Sequence, residues 1–324
     1  MKIVNLVSDN YKAEINLSRG ANCISLKNSK YNADILNEPD YSRLDNPYIY
    51  GMPILFPANR ISNGEFMFEG RKYKFPVNES KTGCHLHGML HETEFSAEEI
   101  SVSRILCRYS SKNSSVYSFF QHEFEILMEY ELSEQGLMHR TTVINNSDKN
   151  MPYLLGFHTS FNISFTNNTS VENVLVYADI SKEFERDDNY LPTGKELDFD
   201  EVSQKLSCGE LDAYNIPLSR HYLAGNAGNM VLYDKENDLS VVYTNDKKFK
   251  YRLIFNGASD GYICLEPQSC LVNCPNSPLE RSENGFDYIK SLDSKTFISG
   301  IYITEGDMRL KQPRQKFLQD VISV

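Results

Sequence analysis

The feature that most limits how this chain can fold is a period of two. In Phe124-Glu125-Ile126-Leu127-Met128-Glu129-Tyr130-Glu131-Leu132, Phe, Ile, Met, Tyr and Leu fall on one side and mostly Glu on the other. That alternation belongs to a half-buried antiparallel strand, with one face in the core and one in water. Similar short β-branched or aromatic runs recur at 13–17, 141–145, 230–233, 239–244, 251–255 and 296–304, separated by turn-rich pieces such as Ser133-Glu134-Gln135-Gly136. The plainest hairpin joins Phe66-Met67-Phe68 to Tyr73-Lys74-Phe75, with Gly70 free to take positive φ.

Helical periodicity is scarce, confined to short stretches at 198–205 and 314–321, so an α/β alternation is not supported. The expected fold class is therefore all-β, a large antiparallel sandwich. With no linker or composition break near the middle, residues 1–324 read as a single domain with a short basic tail from about Arg309; two smaller sandwiches are the alternative.

Charge and cysteine content narrow the partners. The 33 basic residues against 44 acidic give a net charge of −11, which disfavours nucleic acid and anionic membrane surfaces. The N-terminal apolar stretch is too short for a signal-peptide core, and seven cysteines without a CxxC read as reduced thiols. A cytoplasmic protein, monomeric or homodimeric, is expected.

Four stretches combine ionisable groups with turn residues: Phe56-Pro57-Ala58-Asn59-Arg60-Ile61-Ser62-Asn63-Gly64, Cys84-His85-Leu86-His87-Gly88, Gly156-Phe157-His158-Thr159-Ser160-Phe161 and Cys264-Leu265-Glu266-Pro267-Gln268. Each alone has a plain structural reading. Glu266 can be the wet face of a strand, His158 a core histidine, Arg60 a loop cation paired with a surface carboxylate. The His85-Leu86-His87 spacing, with Cys84 and His91 nearby, raises a competing metal-site reading, because alternate strand residues share a face.

In order and spacing the four stretches resemble the aldose 1-epimerase (galactose mutarotase-like) family, over roughly residues 50–304. The resemblance implies a supersandwich β fold and cofactor-free, metal-free interconversion of sugar anomers, with a small-molecule sugar as the partner. It makes Glu266 the base and His158 the acid, with Arg60, His87 and Asn59 on the sugar. One carboxylate and one imidazole suffice for opening a hemiacetal. The chain departs from the pattern twice. Met89 stands where a second glycine usually follows the His-Gly pair. The family's acidic sugar ligand has no counterpart in Leu218-Ser219-Arg220-His221-Tyr222-Leu223, which leaves Arg220 or the earlier Asp212 as the expected substitute. Without the acid the expected substrate preference is either broader among aldoses or shifted toward a sugar bearing an acceptor or negative group opposite C1, whereas Asp212 as the ligand would keep a galactose preference.

Overall fold

The computed structural model describes residues 2–40, 46–212, 214, 216–258 and 261–311. The tail helix expected at 314–321 lies outside them, as does most of the basic tail, although Arg309 is packed over the Tyr233 ring and bonded to Asp307.

The architecture is a large antiparallel β-sandwich. A nine-stranded sheet holds the long hairpin Phe124–Ser133/Gly136–Asn145, next to the twelve-residue strand Ser294–Glu305. Along Phe124–Ser133 burial alternates residue by residue, as the sequence pattern requires. The expected hairpin at 66–75 forms as Glu65–Phe68 against Arg71–Lys74, with Gly70 at φ 75°.

The opposing eight-stranded sheet carries the cleft described below. A separate two-stranded ribbon, β1 (Arg60–Ser62) paired antiparallel with β2 (Cys84–Leu86), also contributes to the cleft. Across the sheet itself run β3 (Ile180–Arg186), β4 (Ser219–Ala224), β5 (Tyr251–Phe255) and β6 (Tyr262–Gln268), each antiparallel to the next. Tyr243 and His139 of the nine-stranded sheet meet Phe161 and Phe157 of this one, with ring centroids 5.4 and 4.8 Å apart. A contiguous hydrophobic cluster runs between the layers.

The helix expected near 198–205 is α1 (Glu201–Cys208). Asp200 caps it by accepting from Ser203 N–H at 2.9 Å, and Gly209 ends it in the left-handed region. All seven cysteines are free, six of them buried. No helix among the described residues is long and apolar enough to cross a membrane.

Candidate active site

Glu266 lies in the middle of β6, flanked by Leu253 of β5 on one side. On its other side the partner strand is interrupted. Gly156–Phe157 pairs with Gln268, Ser160–Asn162 pairs with 262–264, and His158 and Thr159 lie in the gap. The break is stitched by Leu265 N–H to Thr159 O at 2.9 Å and His158 N–H to Pro53 O at 3.1 Å. It turns His158 toward Glu266, so that Nε2 stands 3.2 Å from Oε1.

Glu266 has no exposed surface and His158 has 6%, so the wet-strand reading of Glu266 does not describe this position. Burial pushes the Glu266 carboxyl up to about 8, partly opposed by the Gln268 amide, which donates to Oε2 at 3.1 Å, and by Arg186 and Arg60. Burial pulls the His158 imidazole down to about 3. Between those limits the pair holds one proton.

The two groups open onto a cleft of about 490 Å³, within the roughly 300–1,000 Å³ usual for small-molecule sites. Asn59, Arg60, His87, His158 and Glu266 all line it. Asn59 Oδ1 accepts from Arg60 N–H at 3.0 Å, and Asn59 O accepts from His87 N–H at 3.1 Å, which ties β1 to the His87 loop. Arg60 is held bidentately by Glu79, Nε and Nη2 each 2.7 Å from a carboxylate oxygen. Arg60, the first residue of β1, is thus paired with a carboxylate and lines the cleft as well.

His85 and His87 do not share a face. His87 follows β2 with φ 61°, and its ring packs 4.5 Å from Tyr48 and 5.5 Å from His158. His85 instead lies against Phe75, its Nδ1 2.7 Å from Pro76 O. Among the described residues no group of three or more His, Cys, Asp or Glu side chains is placed to hold a metal ion. Glu266 Oε1, His87 Nδ1 and His158 Nδ1 are buried without a hydrogen-bond partner among those residues, an arrangement that suits hydroxyl-rich ligands.

Two expected ligands lie elsewhere. Arg220 points to the opposite face of the sheet, where it bonds Glu183 at 3.1 and 3.2 Å and Asp200 at 2.7 Å. Asp212 pairs with Leu175 at the edge of the nine-stranded sheet, its carboxylate accepting from Tyr214 N–H. The physical reason is strand alternation: Ser219, one residue before Arg220, is the one that lines the cleft. Met89 does not form part of the wall either; its N–H donates to Tyr117 Oη at 2.9 Å.

Several lining residues had no functional signal in the sequence, among them Tyr48, Glu79, Arg186 and Tyr190. Arg186, at the end of β3, donates through Nη2 to the carbonyl and, at 3.0 Å, to the hydroxyl of Ser219. Tyr190 sits in the turn after it, with the Arg60 and Arg186 guanidiniums 4.6 and 5.7 Å from its ring centroid.

A larger cleft of about 640 Å³, lined by Asn245, Lys247, Phe249 and Arg252 among others, contains no histidine and no carboxyl–imidazole pair.

The chain is similar to known proteins over most of its length. The family model for aldose 1-epimerase matches residues 2–287. The uncharacterized protein YihR of Escherichia coli K12 is 23% identical over 284 residues, covering 86% of this chain and 87% of YihR. A crystal structure of a galactose mutarotase-like protein from Clostridium acetobutylicum superposes with a TM-score of 0.87 at 29% identity, over 94% of this chain and 95% of that one. The galactose 1-epimerase of Lactobacillus acidophilus, at 14% identity and a TM-score of 0.71 over 94% and 95% of the two chains, shares the fold.

Proposed function

The chain belongs to the aldose 1-epimerase family, and from that premise we propose that it interconverts the α and β anomers of an aldose by acid–base chemistry in the Glu266–His158 cleft. The observation that carries this reading is the 3.2 Å contact between a carboxyl raised by burial and an imidazole lowered by it.

Mutarotation neither consumes nor releases protons, so a pair holding one proton is the right reagent. Moving that proton from Glu266 to His158 Nε2 gives a carboxylate base and an imidazolium acid at no change in net charge. The carboxylate takes the proton from O1, the C1–O5 bond breaks as C1=O1 forms, and O5 takes the proton from Nε2. Rotation about C1–C2 presents the other face of the carbonyl. Reclosure of O5 on C1 returns one proton to Nε2 and the other from Glu266 to O1. Arg60 and His87 hydrogen-bond the sugar and steady the charge that develops on its oxygens. A cytoplasmic location fits the seven free thiols.

The test is polarimetry on freshly dissolved α-glucose, α-galactose and α-xylose with the purified protein. Equilibration faster than buffer, and persisting after exhaustive chelation, is the expected result. Rates at the buffer level for every aldose tried, with sugar binding intact, would leave a carbohydrate-binding protein.

A further inference from the structure

We propose that Arg186 is an anion ligand of the cleft, so that the preferred substrate is an aldose carrying an oxyanion, a carboxylate or a phosphate, away from C1. This rests on the reading of the cleft as the site of anomer exchange.

The charges lining the cleft do not cancel. Glu79 is committed to Arg60 through two 2.7 Å bonds. Glu266 is held protonated below about 8. Arg186 has no carboxylate within ion-pair distance among the described residues, and Lys81 stands exposed at the rim. In a chain of net charge −11, this is a local positive site that the overall field does not predict.

The bonds Arg186 does make are to neutral oxygens of Ser219, both through Nη2. Its guanidinium lies 5.7 Å from the Tyr190 ring centroid, and the charges that act on it from beyond ion-pair distance are Arg60, Glu266 and Glu183, with the neutral His221 beside it. An arginine placed only to brace the turn would be expected to meet an acid, as Arg220 does on the opposite face of the same sheet. A guanidinium presents a planar fork of donors matched to two oxygens of one oxyanion.

Position supports the same assignment. β3, which carries Arg186, is three strands from β6, which carries Glu266. At about 4.8 Å per strand the two backbones are roughly 14 Å apart, so these side chains reach toward each other from opposite walls. Chemistry at C1 occupies one wall, and a substituent far from C1 meets the other. Ser219, where an acid would accept from neutral hydroxyls, offers only a hydroxyl.

The test measures kcat/KM for anomer exchange of glucose, glucuronate and glucose 6-phosphate in the parent, Arg186→Gln and Arg186→Lys. The parent should favour at least one anionic sugar by roughly tenfold to hundredfold, the worth of a charge-assisted hydrogen bond. Glucuronate alone would assign a carboxylate, glucose 6-phosphate alone a phosphate. The preference should weaken with added salt, fall to near unity in Arg186→Gln and be intermediate in Arg186→Lys. A parent without preference for either anion overturns the proposal, as does a preference unchanged in Arg186→Gln. Calorimetry with the same sugars separates the two readings: anion binding lost in Arg186→Gln with no catalysis on any sugar would sink anomer exchange and keep the anion site.

Discussion

His158 Nε2 and Glu266 Oε1 face each other at 3.2 Å inside a cleft wall, because the strand beside β6 breaks at His158 and resumes at Ser160. If this contact is the proton-transfer pair, Glu266→Gln should lower kcat by roughly 10²–10⁴, with sugar binding retained. His158→Asn should fall in the same range, and the double variant should be little worse than either single one, since the two act as a unit. Polarimetric rates of the three proteins, beside calorimetric binding, decide this; an undiminished rate in Glu266→Gln would remove it as the base.

The pH profile follows from the single proton. The pair retains it between about 3 and about 8, so kcat/KM should fall as pH rises through about 8 and fall again toward strong acid. These limbs belong to the pair rather than to either residue. Stopped polarimetry across pH 5–10 checks the alkaline limb, and a rate still climbing at pH 9.5 contradicts the one-proton pair.

The same carboxyl makes a stability prediction that needs no substrate. Its pKa is raised on folding from 4.5 to about 8, so the folded state binds more protons than the unfolded one between those values. Stability from this group is therefore full below about 4.5 and is lost as pH rises to about 8, by on the order of 5 kcal/mol for a fully buried group. Glu266→Gln should match the parent within about 1 kcal/mol near pH 5 and exceed it by several near pH 9. Denaturant melts at the two pH values measure the difference, and equal gaps at both would show that the carboxyl titrates normally.

Arg220 gives the opposite kind of outcome. Its guanidinium holds Glu183, which is 6% exposed and also accepts from Ser203 Oγ. Arg220→Ala should leave sugar preference as in the parent while costing about 3–5 kcal/mol, the loss expected when one partner of a buried pair is removed. A changed ratio of glucose to galactose rates in a protein of near-parent stability would put Arg220 back in the site.

Gly88 holds the His87 loop against the neighbouring chain. A Cβ there would lie 1.9 Å from Phe56 O, and φ is +69°. Gly88→Ala should destabilise by about 1–3 kcal/mol for the backbone conformation alone and raise KM through displacement of His87. Thermal melts and Michaelis curves test it together, and near-parent values in both would mean that the loop moves freely.

The strands and the site were legible to different degrees. Alternation in Phe124–Ser133 is written in side-chain type, because one face must be apolar and the other wet. Glu266, His158, Arg60, Asn59 and His87 each carry a local motif, and all five line one cleft. Arg220 was misplaced because a shift of one residue along a strand reverses the face, and nothing local in Ser219-Arg220 tells which of the two points inward. The paired-histidine reading failed for a related reason: positive φ at His87 takes it off the strand before the alternation rule can apply. Glu79 lies about a hundred residues from Arg186 and Tyr190 in the chain, so only folding brings their charges and rings together.

Tyr190 stands exposed at the mouth of the cleft with a guanidinium on either hand, and the chain contains no tryptophan. The protein is therefore optically silent in the indole band. Tyr190→Trp would install its one indole emitter against the two cations that any incoming sugar must pass. Intensity and wavelength would then report occupancy of the cleft directly, for labelled and unlabelled ligands alike, including those that are bound but never turned over.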